Sequence, residues 1–145
     1  MTTDHEAIRH QVTSVSHHID AKRWDELRAL YADEVVTDYT SLFGGSPQRQ
    51  APDALIATWQ AVLARVTTQH LLGPITVELA GDTAHARCHV RAMHVAPAAA
   101  SGEAWEVLGH YRFELARAPN GFRITGMTLE TLHQTGNRKL LEEVA

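Results

Sequence analysis

The chain has 145 residues and a mass of 16.0 kDa, with 17 acidic side chains against 13 basic ones, ten histidines and one cysteine. This length gives one domain with its own core, and a formal charge of −4 gives no basic surface for a nucleic-acid backbone. The sequence lacks a signal-peptide pattern, a cysteine pair and an apolar run of about 20 residues. We expect a cytoplasmic protein of one domain, residues 1–145, that binds neither nucleic acid nor membrane.

The first half of the chain has three stretches with the apolar spacing of amphipathic helices, residues 8–19, 24–31 and 52–66. The second has acids near its start, and the third has a proline in its first turn. Between them, β-favouring residues predict a short strand over 35–39 that ends in a glycine and proline loop over 43–47.

After residue 66 the apolar spacing changes from the period of helices to the alternation of strands. Alternating segments occupy residues 75–79, 84–94, 107–115 and 122–133. Gly126 predicts a bulge or bend in the last of them, because glycine accepts a positive φ. Helices followed by an antiparallel meander predict an α+β fold with the helices on one face of a curved sheet. Residues 136–145 read as a polar tail beyond a core of about residues 5–135.

Three polar residues occupy positions where this pattern calls for apolar ones. Asp20 ends the inward stripe of the first helix, while His94 and Tyr111 share strand faces with apolar residues. His70 lies in the segment 67–72, before Pro74 resets the alternation, and the pattern does not determine which way it faces. Buried ionisable groups are costly unless they are paired, so polar residues that converge on one cavity indicate a functional site.

Each candidate also has a structural interpretation that the sequence leaves open. Asp20 is a favoured residue type for capping a helix that begins near Trp24. In a structural interpretation, His70 and His94 are core histidines that donate to backbone carbonyls, and Tyr39 and Tyr111 are ordinary amphipathic wall residues.

The sequence motifs of metal, nucleophile and dinucleotide sites are missing. His85 and His89 would lie about 13 Å apart on a strand, too far apart to bind one ion. Cys88 lies in an apolar strand register, where a thiol is usually inert, and the sequence has no GxSxG or HExxH motif. We therefore expect no metal and no cofactor.

Six short motifs together resemble those of the SnoaL-like family, within the superfamily of proteins like nuclear transport factor 2. They are IDAKRWDEL at 19–27, TDY at 37–39, TQHLLG at 68–73, GDTA at 81–84, GHY at 109–111 and NGFRI at 120–124. The resemblance spans about residues 5–135 and implies a cone-shaped α+β fold. In that fold three N-terminal helices pack on a curved, mostly antiparallel sheet.

Within the superfamily the pattern is most similar to that of the scytalone dehydratases, and this resemblance implies roles for four residues. Asp20 and His70 would form an Asp-His general base, with His94 and Tyr39 as further catalytic residues. We expect four aromatic side chains to line an apolar pocket for a small apolar or aromatic substrate. They are Trp24, Tyr111, Trp59 and Phe43.

These residues predict a cofactor-independent lyase of the dehydratase type that acts on a small cyclic or aromatic compound. His70 would remove a proton, Tyr39 or His94 would stabilise the enolate, and His94 or a water would protonate the departing hydroxyl. The alternatives are an isomerase or cyclase of polyketide or steroid type with the same base, and a non-catalytic module that binds a small ligand. The polar strand face that includes His85 and Arg87 predicts a homo-oligomer, either a dimer or a trimer.

Overall fold

Seven strands form one curved, open sheet. The computed structural model describes residues 2–145. Its elements are α1 (Asp4–Ala21), α2 (Trp24–Arg28), β1 (Tyr31–Asp38), α3 (Thr40–Phe43), β2 (Gln48–Gln50), α4 (Pro52–Val62), β3 (Thr67–Leu72), β4 (Thr76–Ala80), β5 (Thr83–Val95), β6 (Ala104–Ala118), β7 (Gly121–Gly136) and α5 (Leu140–Glu143). The strands are ordered β2-β1-β7-β6-β5-β3, with β4 also paired to β5. β1 pairs with β7 in parallel, and the other pairings are antiparallel. The predicted α+β class is confirmed.

Helix α1 carries the predicted inward stripe and ends at the site. Thr3 caps its first turn and exchanges hydrogen bonds with Glu6, which satisfies amide groups that have no partner within the helix. The four apolar residues of the stripe are all buried, and each contributes about 1.5–3 kcal/mol. They are Ile8, Val12, Val15 and Ile19. Because α1 packs against β3, its last turn lies beside that strand.

The long strands β5 and β6 place one face inward and the other outward, as the alternation predicts. On β5 the inward row runs from Ala84 to His94, and on β6 it includes Trp105 and Tyr111. In the register of the two strands, His94 lies opposite Trp105. The inward positions of His94 and Tyr111 are therefore confirmed.

The predicted irregularity at Gly126 is confirmed, but its physical reason is different. The register between β6 and β7 shifts between Glu114 and Leu115, directly opposite Gly126. The φ of Gly126 is not positive. A Cβ there would lie 3.0 Å from Oε2 of Glu114, so a larger residue at this position would require the Glu114 side chain to move.

Two predictions about local structure are wrong. Tyr31 begins β1 and does not extend the second helix. The C-terminal residues are not a free polar tail, because α5 folds back and buries Leu140 completely and Val144 almost completely. The side-chain amide of Asn137 fastens this segment by donating to the carbonyl of Gly102 at 2.9 Å. In the part of the chain that is described, residues 2–145, no helix is both long and apolar enough to span a membrane.

Candidate functional site

Asp20 and His70, which are 50 positions apart in the sequence, meet between the last turn of α1 and the middle of β3. Oδ1 of Asp20 lies 2.6 Å from Nδ1 of His70 and accepts a hydrogen bond from the Thr68 hydroxyl at 2.8 Å. Its Oδ2 accepts one from the backbone N–H of His70 at 2.9 Å. The capping interpretation of Asp20 is wrong, because Arg23 occupies the cap position of α2 and no side chain caps that helix.

The electrostatics of this pair favour an ionised carboxylate. Burial raises the pKa of Asp20, but the hydrogen bonds from the side chain and backbone of His70 and from Thr68 outweigh it and bring the pKa below its ordinary value. Since a carboxylate only accepts hydrogen bonds, the proton between the two side chains belongs to Nδ1 of His70. In the neutral form of the ring, Nε2 of His70 is then a bare nitrogen that can take up a proton.

His94 lies at the end of the inward row of β5, with its ring edge-on to the His70 ring and the ring centroids 6.3 Å apart. Its Nδ1 lies 3.2 Å from the carbonyl oxygen of Trp105. A carbonyl oxygen only accepts, so Nδ1 of His94 carries the proton and Nε2 is bare. Burial lowers the pKa of His94 to about 4, so the ring is neutral at neutral pH.

This state of His94 bears on its predicted role as a proton donor to the substrate. A neutral ring with its proton on Nδ1 has none on Nε2, so it can neither donate to an enolate oxygen nor protonate a departing hydroxyl. Two tyrosines are better suited to donation. Burial raises the pKa of the Tyr39 phenol, and it raises that of Tyr111 together with the nearby Tyr39. Both phenols therefore keep their protons.

The free polar atoms of these residues are not sealed from solvent. Within residues 2–145, no hydrogen-bond partner is found for the hydroxyls of Tyr39 and Tyr111 or for Nε2 of His70 and His94. In the same residues, no side-chain nitrogen or oxygen that is sealed from solvent lacks a partner. These four atoms therefore reach space that a water-sized molecule can enter, as a ligand site requires.

An aromatic wall continues the site beyond His94. The indole of Trp105 lies over the His94 ring with centroids 4.4 Å apart and a tilt of 30°, and Phe43 lies 6.4 Å from Trp105. Phe43 is 64% exposed, at the end of α3. Sequence reasoning missed Trp105. The only available signal was its place on a strand antiparallel to that of His94, and the register that brings the two together comes from the fold.

The two remaining predicted aromatic residues lie apart from these contacts. Trp59 packs against Tyr31, with ring centroids 6.4 Å apart, and Trp24 begins α2 at the edge of the core. In residues 2–145, the hydrogen bonds and ring contacts of the His70 and His94 side chains include neither Trp24 nor Trp59.

No group of three or more metal-ligating side chains in residues 2–145 is placed to hold an ion.

Known proteins that are similar to this chain share its architecture. The model of the SnoaL-like domain family matches residues 1–128. The structure of Kfla4162 from Kribbella flavida is 27% identical, covers 93% of this chain and 94% of its own, and has a TM-score of 0.87. A proposed aromatic ring hydroxylase from Novosphingobium aromaticivorans is 26% identical, covers 93% of this chain and 94% of its own, and has a TM-score of 0.79. A proposed scytalone dehydratase from that organism is 20% identical, covers 90% of this chain and 85% of its own, and has a TM-score of 0.77. No curated protein matches the chain. The likeness to these structures confirms the predicted cone-shaped fold.

Proposed function

The chain belongs to the SnoaL-like family, which includes dehydratases, isomerases and cyclases, and from this premise we propose that it is a cofactor-independent lyase of the dehydratase type. Its substrate is a small cyclic or aromatic compound. The observation that carries the proposal is the contact of 2.6 Å between Oδ1 of Asp20 and Nδ1 of His70. An ionised carboxylate there orients the imidazole and stabilises the imidazolium that forms when Nε2 takes a proton.

The reaction begins with proton removal from carbon. Nε2 of His70 takes a proton from the carbon next to a carbonyl group, and the electron pair of the C–H bond moves to the carbonyl oxygen as an enolate. The hydroxyl of Tyr39, which keeps its proton, donates a hydrogen bond to that oxygen. Asp20 stabilises the imidazolium at the same time.

The same histidine then supplies the proton for the loss of water. The enolate pair forms the new carbon–carbon double bond and expels the hydroxyl group on the next carbon. That hydroxyl takes the proton from the His70 imidazolium and leaves as water, which restores the neutral base. His94 has no proton on Nε2 to give, so His70 serves as base and then as acid. Each of these roles typically contributes about 10²- to 10⁴-fold in rate.

The neutral state of His94 also favours a second candidate, an isomerase of the steroid or polyketide type. An isomerase needs one base that carries a proton from one carbon to another, and it needs no second acid. His70 with Asp20 would supply that base, and Tyr39 would stabilise the same enolate. The release of water distinguishes the two functions, because a dehydratase releases water from its substrate and an isomerase does not.

The experiment that tests the proposal uses cyclic β-hydroxy ketones, such as 3-hydroxy-1-tetralone, in deuterated water. We expect the wild-type protein to catalyse both exchange of the proton next to the carbonyl and loss of water, measured by proton NMR. His70→Ala should lower both rates by about 10²-fold or more, since it removes the base. His17→Ala, an exposed histidine on α1, is the matched control and should keep both rates. Equal rates for His70→Ala and wild type would refute the proposal.

The outer face of the sheet supports the further proposal that the protein is a homo-oligomer. Arg87 lies directly opposite Arg112 across β5 and β6, and His89 lies opposite His110, with ring centroids 4.6 Å apart. Arg112 has a carboxylate partner within the chain, Oε1 of Glu114 at 3.7 Å, whereas no ion pair of Arg87 is found among residues 2–145, so Arg87 faces a like charge without compensation, which is destabilising. A groove of 480 Å³ runs along this face and includes Glu130, so a second copy would bring a complementary carboxylate.

An oligomer on this face predicts a mass above 16.0 kDa by light scattering. Leu132 is 60% exposed beside a second groove of 370 Å³ on this face, and burying it in a contact would stabilise the assembly. Leu132→Glu should therefore shift the protein toward the monomer, whereas Arg65→Glu, an exposed position after α4, should not. A wild-type protein that remains at 16.0 kDa at all concentrations would contradict the oligomer.

A further inference from the structure

The two imidazoles of the site expose the same kind of atom. Nδ1 of His70 donates to Oδ1 of Asp20, and Nδ1 of His94 donates to the carbonyl of Trp105. In a neutral histidine only one nitrogen carries a proton, so the free nitrogen of each ring is a hydrogen-bond acceptor. When both rings are neutral, the site presents two acceptors on rings whose centroids are 6.3 Å apart.

The acceptor state of His94 is set by the backbone. Its partner is a main-chain carbonyl held in position by the direct pairing of His94 with Trp105 across β5 and β6. Turning the ring by half a revolution would place Cδ2 against that carbonyl. The hydrogen bond would then be lost at a position where His94 is only 9% exposed, which is costly. The Trp105 indole packs on the ring and is itself held, since its Nε1 donates to Oε1 of Gln134 at 3.0 Å.

Nε2 of His94 is thus an acceptor that reaches open space and lacks a donor among residues 2–145. We infer that it recognises a neutral hydroxyl group of the substrate, which donates its proton to Nε2 while the ring of the substrate lies beside Trp105. A phenolate or carboxylate would place its lone pairs against that of Nε2 and be disfavoured. The substrate class is therefore a ring compound that carries an un-ionised hydroxyl. That this compound also presents a C–H group to His70 rests on the proposed function.

Binding of three related probes tests this inference without any turnover. They are 2-naphthol, which carries a hydroxyl donor, 2-methoxynaphthalene, which does not, and naphthalene, which controls for the size of the methoxy group. By isothermal titration calorimetry we expect the wild-type protein to bind 2-naphthol about tenfold more tightly than the other two, since one neutral hydrogen bond is worth roughly that ratio. His94→Phe keeps a ring but no acceptor, and it should abolish the preference.

Two controls keep the result interpretable. His94→Gln retains an acceptor oxygen and should restore part of the preference, even if His94→Phe is less stable. Nitrogen-15 spectra of the wild-type imidazoles should show the His94 proton on Nδ1 between about pH 6 and pH 8. A preference for 2-naphthol that survives in His94→Phe, or a proton found on Nε2, would overturn the inference. Since 2-naphthol undergoes no elimination, these outcomes are independent of whether the lyase proposal holds.

Discussion

Asp20→Asn is expected to lower the rate of proton exchange from carbon by about 10²- to 10⁴-fold while the protein stays folded. The amide has nearly the same shape as the carboxylate, so with its oxygen in the place of Oδ2 it still accepts the hydrogen bond from the backbone N–H of His70, and its NH₂ group can donate to the Thr68 hydroxyl. An amide carries no charge, however, and cannot stabilise the imidazolium. Its NH₂ group can also donate to Nδ1 of His70, which moves the ring proton to Nε2 and blocks the base.

Thr68→Val is the matched control for this substitution. It removes one donor from the same carboxylate oxygen but leaves the contact between Asp20 and His70 in place. We expect a rate within about tenfold of wild type, because this hydrogen bond to a charged carboxylate, worth about 1.5–3 kcal/mol, is present in both the resting and the reacting state. Rates are measured by NMR in deuterated water, and urea unfolding establishes that each variant is folded. If Asp20→Asn exchanged protons as fast as Thr68→Val, the role of the charge would be disproved.

The parts of the site that the sequence predicts are those fixed by a strong periodic pattern. His94 and Tyr111 belong to long strands whose apolar residues alternate, and this alternation decides which face each side chain occupies. His70 lies on β3, where threonine and glutamine weaken the alternation, so its direction could not be predicted. Its meeting with Asp20 depends on how α1 packs against β3, which no local pattern specifies.

The chemical state of His94 shows a second limit of sequence reasoning. A histidine in an inward row can be protonated or neutral, and can donate or accept, according to its partner. Here the partner is the carbonyl of Trp105, a group that every residue possesses and that becomes relevant only through strand register. The sequence thus predicted the location of His94 and left open that it donates to a backbone carbonyl, but which carbonyl this is depends on the register of β5 and β6.

The sequence predicts a polar tail for the C-terminal segment because the apolar residues of this segment are few. Those residues are nevertheless spaced so that they share one face. Leu140 and Val144 are four residues apart and both buried, whereas the residues around them are mainly polar. Glu143 and Asn137 then tie the segment to the connection between β5 and β6. The backbone N–H of Ser101 in that connection donates to Oε2 of Glu143 at 3.0 Å.

Leu140→Ala is therefore expected to lower the free energy of unfolding by about 2–5 kcal/mol, as other fully buried leucines do. Leu140 is 0% exposed, so its removal leaves a cavity that the surrounding strands cannot easily fill. This loss is a large share of the roughly 5–15 kcal/mol that stabilises a domain of this kind. Urea unfolding followed by circular dichroism measures the difference.

Leu141→Ala is the matched control, since it changes the same residue type in the same helix at a position that is only partly buried. We expect it to lower the free energy of unfolding by less than half as much, because the leucine it removes is already in partial contact with water. A free polar tail would instead make the two variants equally stable and indistinguishable from wild type. Because α5 holds the connection that leads into Trp105, Leu140→Ala should also weaken the preference for 2-naphthol, and Leu141→Ala should preserve it.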